Sequence, residues 1–167
     1  MTHSKFFAIS CAFGLLLSAA SQAHEIKTKT LIVMHPWVHA AQAGALSTDG
    51  FVVIKNIGKE PERLLGASVD GALGTGLMQL IPGGPGGLCR LAAGIEIAPG
   101  ATIELKPGRS GFMFGKLAKT LRQDLYVNGV LTFEKAGAIK VEFFIEAADA
   151  PSSSHQAVAD CAAAATQ

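Results

Sequence analysis

An all-β domain, a β-sandwich or small Greek-key barrel, is the fold class this sequence predicts, and three observations predict it. Between Thr30 and Glu146 the chain runs as short segments rich in Val, Ile, Leu and Phe. Gly, Pro and Asn recur between those segments at turn positions. Helical periodicity is nowhere sustained, and many short strands at this spacing close best as two packed sheets or a barrel.

The first strand is expected at "TLIVM" (Thr30 to Met34), followed by "GFVVIKN" (Gly50 to Asn56) and "RLLGASV" (Arg63 to Val69). The intervening "NIGKEPE" is a turn, with Asn56 as its former. Next come "GLMQL", "GIEI", "ATIELKP", "GFMFGKL", "LYVNGVLTF" and "AIKVEFFIEA". Between them "GGPGG", "APGA" and "KPGRS" supply glycines that accept positive φ or prolines that pre-set a turn, Pro107 and Gly108 among them. Alternation in "TIELK" aims Ile103 and Leu105 inward and Glu104 and Lys106 outward, and "IKVEFFIE" repeats the pattern. Such strands rest one face on a core and keep the other in water. Trp37, behind Pro36, reads as an aromatic anchor of the core or the sheet edge.

The flanks differ from this body. Lys5, the apolar run "FFAISCAFGLLLSAA" and the small residues "SQA" form a secretory signal peptide, residues 1–23, with cleavage expected after Ala23. The apolar run is short for a bilayer span of ~20 residues, so no membrane span is expected after cleavage. The domain then occupies residues 24–148, and residues 149–167, "DAPSSSHQAVADCAAAATQ", read as a low-complexity, mobile tail. Cleavage lowers the basic residues from 14 to 13 against 13 acidic ones, a formal net charge of zero. Nothing in that balance attracts nucleic acid or anionic membrane. One Trp and one Tyr offer no stacking platform for bases either.

No arrangement for nucleophilic or acid–base catalysis stands out, and no Gly-rich loop leads from a strand into a helix as a phosphate cradle requires. The expectation is that the protein is not an enzyme. What remains is sulfur and histidine: Met34, Met78, Cys89, Met113, His24, His35, His39 and His155. Cu(I) is a soft ion that favours thioether, thiolate and imidazole, although an isolated Met in a strand more often fills a core. In "GLMQLIPGGPGGLCRL" ten residues separate Met78 from Cys89. Cys11 leaves with the signal, so Cys89 and Cys161 either pair with each other in an oxidising compartment or leave Cys89 for metal. His24, exposed as a new N-terminus, offers an α-amino and imidazole chelate for Cu(II), completed by His35, His39 or His155; the plainer reading is solvated histidines with no metal role.

The segments "HPWVHA", "FVVIKNIGKEPERLLGASV", "GIEIAPGATIELKPG" and "LTFEKAGAIKVEF", in that order, carry a family resemblance. From Glu25 to about Glu146 the chain resembles the periplasmic copper chaperones of the PCuAC type. The resemblance implies a cupredoxin-like Greek-key fold and a motif of His, ten residues, Met, about twenty-one residues, then His-x-Met. Laid on this chain, the motif puts Met78 at the first His, Cys89 at the Met, Gly111 at the second His and Met113 at the last Met. His39 stands where the family usually has Arg.

Two readings of that motif stay open. In one, Met78, Cys89 and Met113 form a three-sulfur Cu(I) site with a fourth position left open at Gly111. In the other the site has decayed, the methionines pack, and copper is absent. The function implied is periplasmic carriage of Cu(I) to the copper centre of a cytochrome oxidase subunit, directly or with a Sco-type thioredoxin-like partner. The alternatives are a binding or scaffold protein that kept the fold without copper, and a Cu(II) protein built on His24.

Overall fold

The computed structural model describes residues 25–80, 87–148 and 159–160. Among them every regular element is a strand, as the alternating patterns and turn residues require. They are β1 (Glu25–Lys27), β2 (Leu31–His39), β3 (Ser47–Asn56), β4 (Glu62–Val69), β5 (Ala72–Leu80) and β6 (Leu88–Arg90). β7 (Ile95–Ile97), β8 (Thr102–Leu105), β9 (Ser110–Leu117), β10 (Tyr126–Phe133), β11 (Ala138–Glu146) and β12 (Ala159–Asp160) follow. One curled sheet runs β12-β6-β5-β9-β3-β2-β11-β10-β4-β7, with β1 joined to β2 and β8 to β3. The β2–β11 and β6–β12 pairs are parallel and the others antiparallel.

Alternation sets which face each side chain takes. Leu31, Val33, Ile54, Leu64, Phe112, Phe114, Leu131 and Phe143 close the inner face almost completely against solvent. Phe114 is its hub, with ring centres 5.8 Å from Phe112 and 5.9 Å from Phe143. The expected alternation in "TIELK" holds: Leu105 is buried, Ile103 half-buried, and Thr102 and Glu104 are exposed. In β11, Val141, Phe143 and Ile145 are buried while Lys140 and Glu142 are exposed.

β2 departs from the sequence expectation, which ended the strand at Met34. It continues to His39 through a bulge: Met34 faces Val53 and Trp37 faces Phe51, so β2 advances one residue more than β3. His35 sits in the bulge at φ +46°, and Pro36, which cannot donate to a ladder, follows it. The extra residue inverts the alternation beyond it. Val33 and Val38 both face the core, and Trp37 and His39 fall on the other face.

Two buried polar residues bolt the far end of the sheet. The Asn56 amide donates from Nδ2 to the carbonyls of Glu60 and Ile97, both at 2.8 Å, and its Oδ1 accepts from the Gly58 N–H at 2.9 Å. Asn56 thus forms the turn, as expected, and also ties it to β7. The Glu62 carboxylate accepts the backbone N–H groups of Arg63, Lys135 and Ala136. Burial opposes ionisation of Glu62, but those three donors and the charge of Lys135 outweigh it and hold its carboxyl below the usual carboxylate range.

β1 and β6 were not expected from sequence; each has only three residues, too few to display a period. Of the expected tail, Ala159 and Asp160 lie along β6, with Ala159 opposite Cys89. The signal peptide, His24, His155 and Cys161 lie outside the described residues. Among the described residues no helix is long and apolar enough to cross a membrane.

Candidate metal-binding face

β3, β9, β5 and β6 lie side by side, and their register decides which sulfur atoms can meet. Leu77 and Phe112 belong to the core, so their neighbours Met78, Gly111 and Met113 project from the opposite face. Two rows cross that face. Asp49, Met113 and Gly76 form one, and Gly111, Met78 and Arg90 form the next.

Met78 and Met113 are diagonal neighbours on β5 and β9, within mutual reach of long side chains. Gly76 leaves room between them. The Met78 sulfur lies 3.2 Å and the Arg90 guanidinium 3.4 Å from the point a Gly76 Cβ would occupy, so both side chains fold over the glycine that stands directly opposite Met113. Met78 is buried and Met113 half-buried. The arrangement is two thioethers, soft donors, with one of them open to approach.

The structure does not bring Cys89 to this pair. Cys89 lies opposite Gln79, not opposite Met78, and therefore shares a face with Leu77. It is also disulfide-bonded, and a sulfur in a disulfide is not a thiolate ligand. The expected three-sulfur set is thus divided between the two faces of the sheet. Of the two fates left open for Cys89, the structure takes the disulfide. Its expected partner, Cys161, lies outside the described residues.

Gly111, where the motif has a second His, is covered. A Cβ there would meet Phe51 Cε1 at 2.8 Å and the Gly50 carbonyl oxygen at 3.1 Å. The Phe51 ring is held by Trp37, centre to centre 4.5 Å, and touches His39 edge-on at 5.7 Å. Phe51 and Met78 are buried yet stand apart from the main core cluster. They form, with half-buried Trp37, a small second apolar layer on the outer face. Trp37 is an anchor, as expected, but of this layer.

The histidines divide as well. His35 is largely exposed, with Nε2 3.3 Å from Glu146 Oε1. His39 is buried, its Nδ1 3.0 Å from the Ala147 carbonyl oxygen. The sequence offers either one to complete a His24 chelate, because the bulge that separates them leaves no periodic signal. Among the described residues no group of three or more His, Cys, Asp and Glu is placed to hold a metal.

The family model LpqE-like, described as a lipoprotein family, matches residues 31–145. Among solved structures, the copper-bound PCuAC domain from PmoF2 superposes with a TM-score of 0.64 at 22% identity, over 74% of this chain and 98% of that one. The apo PCuAC domain from PmoF1 gives 0.62 at 25% identity, over 74% and 99%. The Cu(I) form of DR1885 from Deinococcus radiodurans gives 0.51 at 20% identity, over 77% and 83%. The fold is the cupredoxin-like one of PCuAC domains. No curated protein matches the chain by sequence.

Proposed function

The chain belongs to the LpqE-like family, and from that premise we propose that it is an extracytoplasmic, non-enzymatic copper carrier that holds Cu(I) on the outer face of β5 and β9. The observation that carries this reading is the folding of Met78 over Gly76 toward Met113. Thioethers bind Cu(I) in preference to harder ions, and they stay neutral, so the ion is held without a proton having to leave. Its fold likeness to the copper-bound PmoF2 domain and to Cu(I)-DR1885 adds support.

The exposure gradient suits a carrier. Met78 is buried and Met113 half-buried, so an acceptor reaches the ion from the Met113 side and exchanges ligands one at a time. The acceptor is a cytochrome oxidase copper centre or a Sco-type thioredoxin-like protein, as the resemblance to PCuAC chaperones implies, and the compartment is the periplasm after removal of residues 1–23.

Anaerobic titration of the secreted chain with Cu(I) against a chromophoric chelator tests the reading. One Cu(I) retained per chain, without reduction of the disulfide, is the expected result; failure to compete for any Cu(I) overturns it. The second reading, a scaffold that kept the fold and lost copper, is favoured by one observation, the Phe51 ring standing where a residue-111 imidazole would project. The same titration separates the two.

A further inference from the structure

His39 is the one buried side chain among the described residues with an unpartnered polar atom. It is 4% exposed, and its Nε2 is sealed from solvent and makes no hydrogen bond. Leaving a buried acceptor unpaired costs about 1–3 kcal/mol, and native structures seldom do so without a reason. The other ring nitrogen shows which atom is unpaired. Nδ1 lies 3.0 Å from the Ala147 carbonyl oxygen, which can only accept, so Nδ1 carries the hydrogen. In the neutral ring Nε2 then holds the free lone pair. Metal-binding histidines share this arrangement: one nitrogen donates to a carbonyl, which orients the ring, and the other faces the ion.

The fold brings that nitrogen to the sulfur face. The bulge at His35 and Pro36 turns Trp37 and His39 outward, at the expense of a left-handed His35 backbone, φ +46°. Val38 faces Gly50, and one more step along the same register sets His39 beside Asp49. Asp49 is in turn opposite Met113, and Met113 opposite Gly76, over which the Met78 sulfur lies. One row across β2, β3, β9 and β5 therefore collects an imidazole nitrogen and two thioethers. Strands lie about 4.8 Å apart, so the His39 and Met113 backbones are about 10 Å apart, with Asp49 on the strand between them.

We propose that His39 Nε2 is the nitrogen ligand of the Cu(I) site, closing on the ion with Met113 and Met78 in place of the imidazole that position 111 lacks. One nitrogen and two soft sulfurs make a trigonal set matched to Cu(I). Phe51, seated on Gly111 and against His39, supplies the dry wall beside it. This assignment rests on the copper-carrier reading and names a ligand within it.

Nitrogen-15 NMR of the full secreted chain, before and after one equivalent of Cu(I) under anaerobic conditions, is the test. The expected result is a shift of the His39 Nε2 resonance with its Nδ1–H retained, while the His35 ring stays unchanged. In parallel, His39→Gln weakens Cu(I) by at least about 10–100-fold, the scale on which even a ligand's hydrogen-bond partner matters. If His39→Gln fails to fold, the wild-type spectrum decides alone. Copper bound with the His39 Nε2 resonance unmoved and His39→Gln unchanged in affinity overturns the ligand and leaves the carrier. No Cu(I) bound by the wild-type chain overturns both.

Discussion

The inner and outer faces of β3, β9 and β5 are made from the same strands by opposite rules. On the inner face, Phe112, Phe114 and Leu77 fill the space between layers with large side chains, and alternation alone locates them. On the outer face, Gly76 and Gly111 withhold side chains so that Met78 and Phe51 can lie flat over them. Volume specifies the first and its absence the second. The inner face accordingly carries stability, while the outer face keeps two sulfur atoms and an unpaired nitrogen within one row.

The largest effect breaks the inner face. Phe114→Ala removes the ring that joins Phe112 to Phe143 and leaves a cavity, for an expected loss of about 3–5 kcal/mol, measurable by chemical denaturation. Next is Gly111→His, which restores the residue of the PCuAC motif at a place already taken. Its Cβ meets the Phe51 ring at 2.8 Å, so the variant loses about 1–3 kcal/mol, and Phe51→Ala in the same chain recovers part of the loss. A Gly111→His variant as stable as the parent would show that the Phe51 layer yields freely.

Glu62 and His39 sharpen the contrast from another side, since both are buried polar groups. Glu62 satisfies its carboxylate with three backbone N–H donors, whereas His39 leaves Nε2 empty. Glu62→Gln is expected to cost about 1–2 kcal/mol at neutral pH and to leave Cu(I) affinity alone. Because the folded pKa of Glu62 is lowered from its ordinary 4.5, its contribution is full above that value and is lost as pH falls through the lowered one. The acid limb of the stability curve therefore flattens in Glu62→Gln; an unchanged limb would remove Glu62 from the account. The smallest stability effect belongs to Met113→Leu, under about 1 kcal/mol for a half-buried, volume-conserving change, with Cu(I) affinity nonetheless reduced.

Much of the inner face was legible in the sequence, because a two-residue period with turn residues between segments leaves few other folds for "TIELK" or "IKVEFFIE". β2 was read short because Pro36 interrupts the pattern, and only the bulge shows that the strand resumes with its faces exchanged. The site was legible in its residues and not in its geometry. Counting ten residues from Met78 to Cys89 says nothing of faces. A register one residue different would have set Cys89 opposite Met78, and the observed pairing of Gln79 with Cys89 sends its sulfur to the other side. Likewise the unpaired nitrogen of His39 depends on Ala147, more than a hundred residues along the chain, and no local pattern announces such a contact.

Copper K-edge X-ray absorption of the Cu(I)-loaded chain tests the central claim, that copper sits on the methionine face and not at Cys89. Two sulfur neighbours are expected in the wild-type chain, the same two in Cys89→Ser, and one fewer in Met113→Ala. Loss of a sulfur neighbour in Cys89→Ser, with none lost in Met113→Ala, would contradict it.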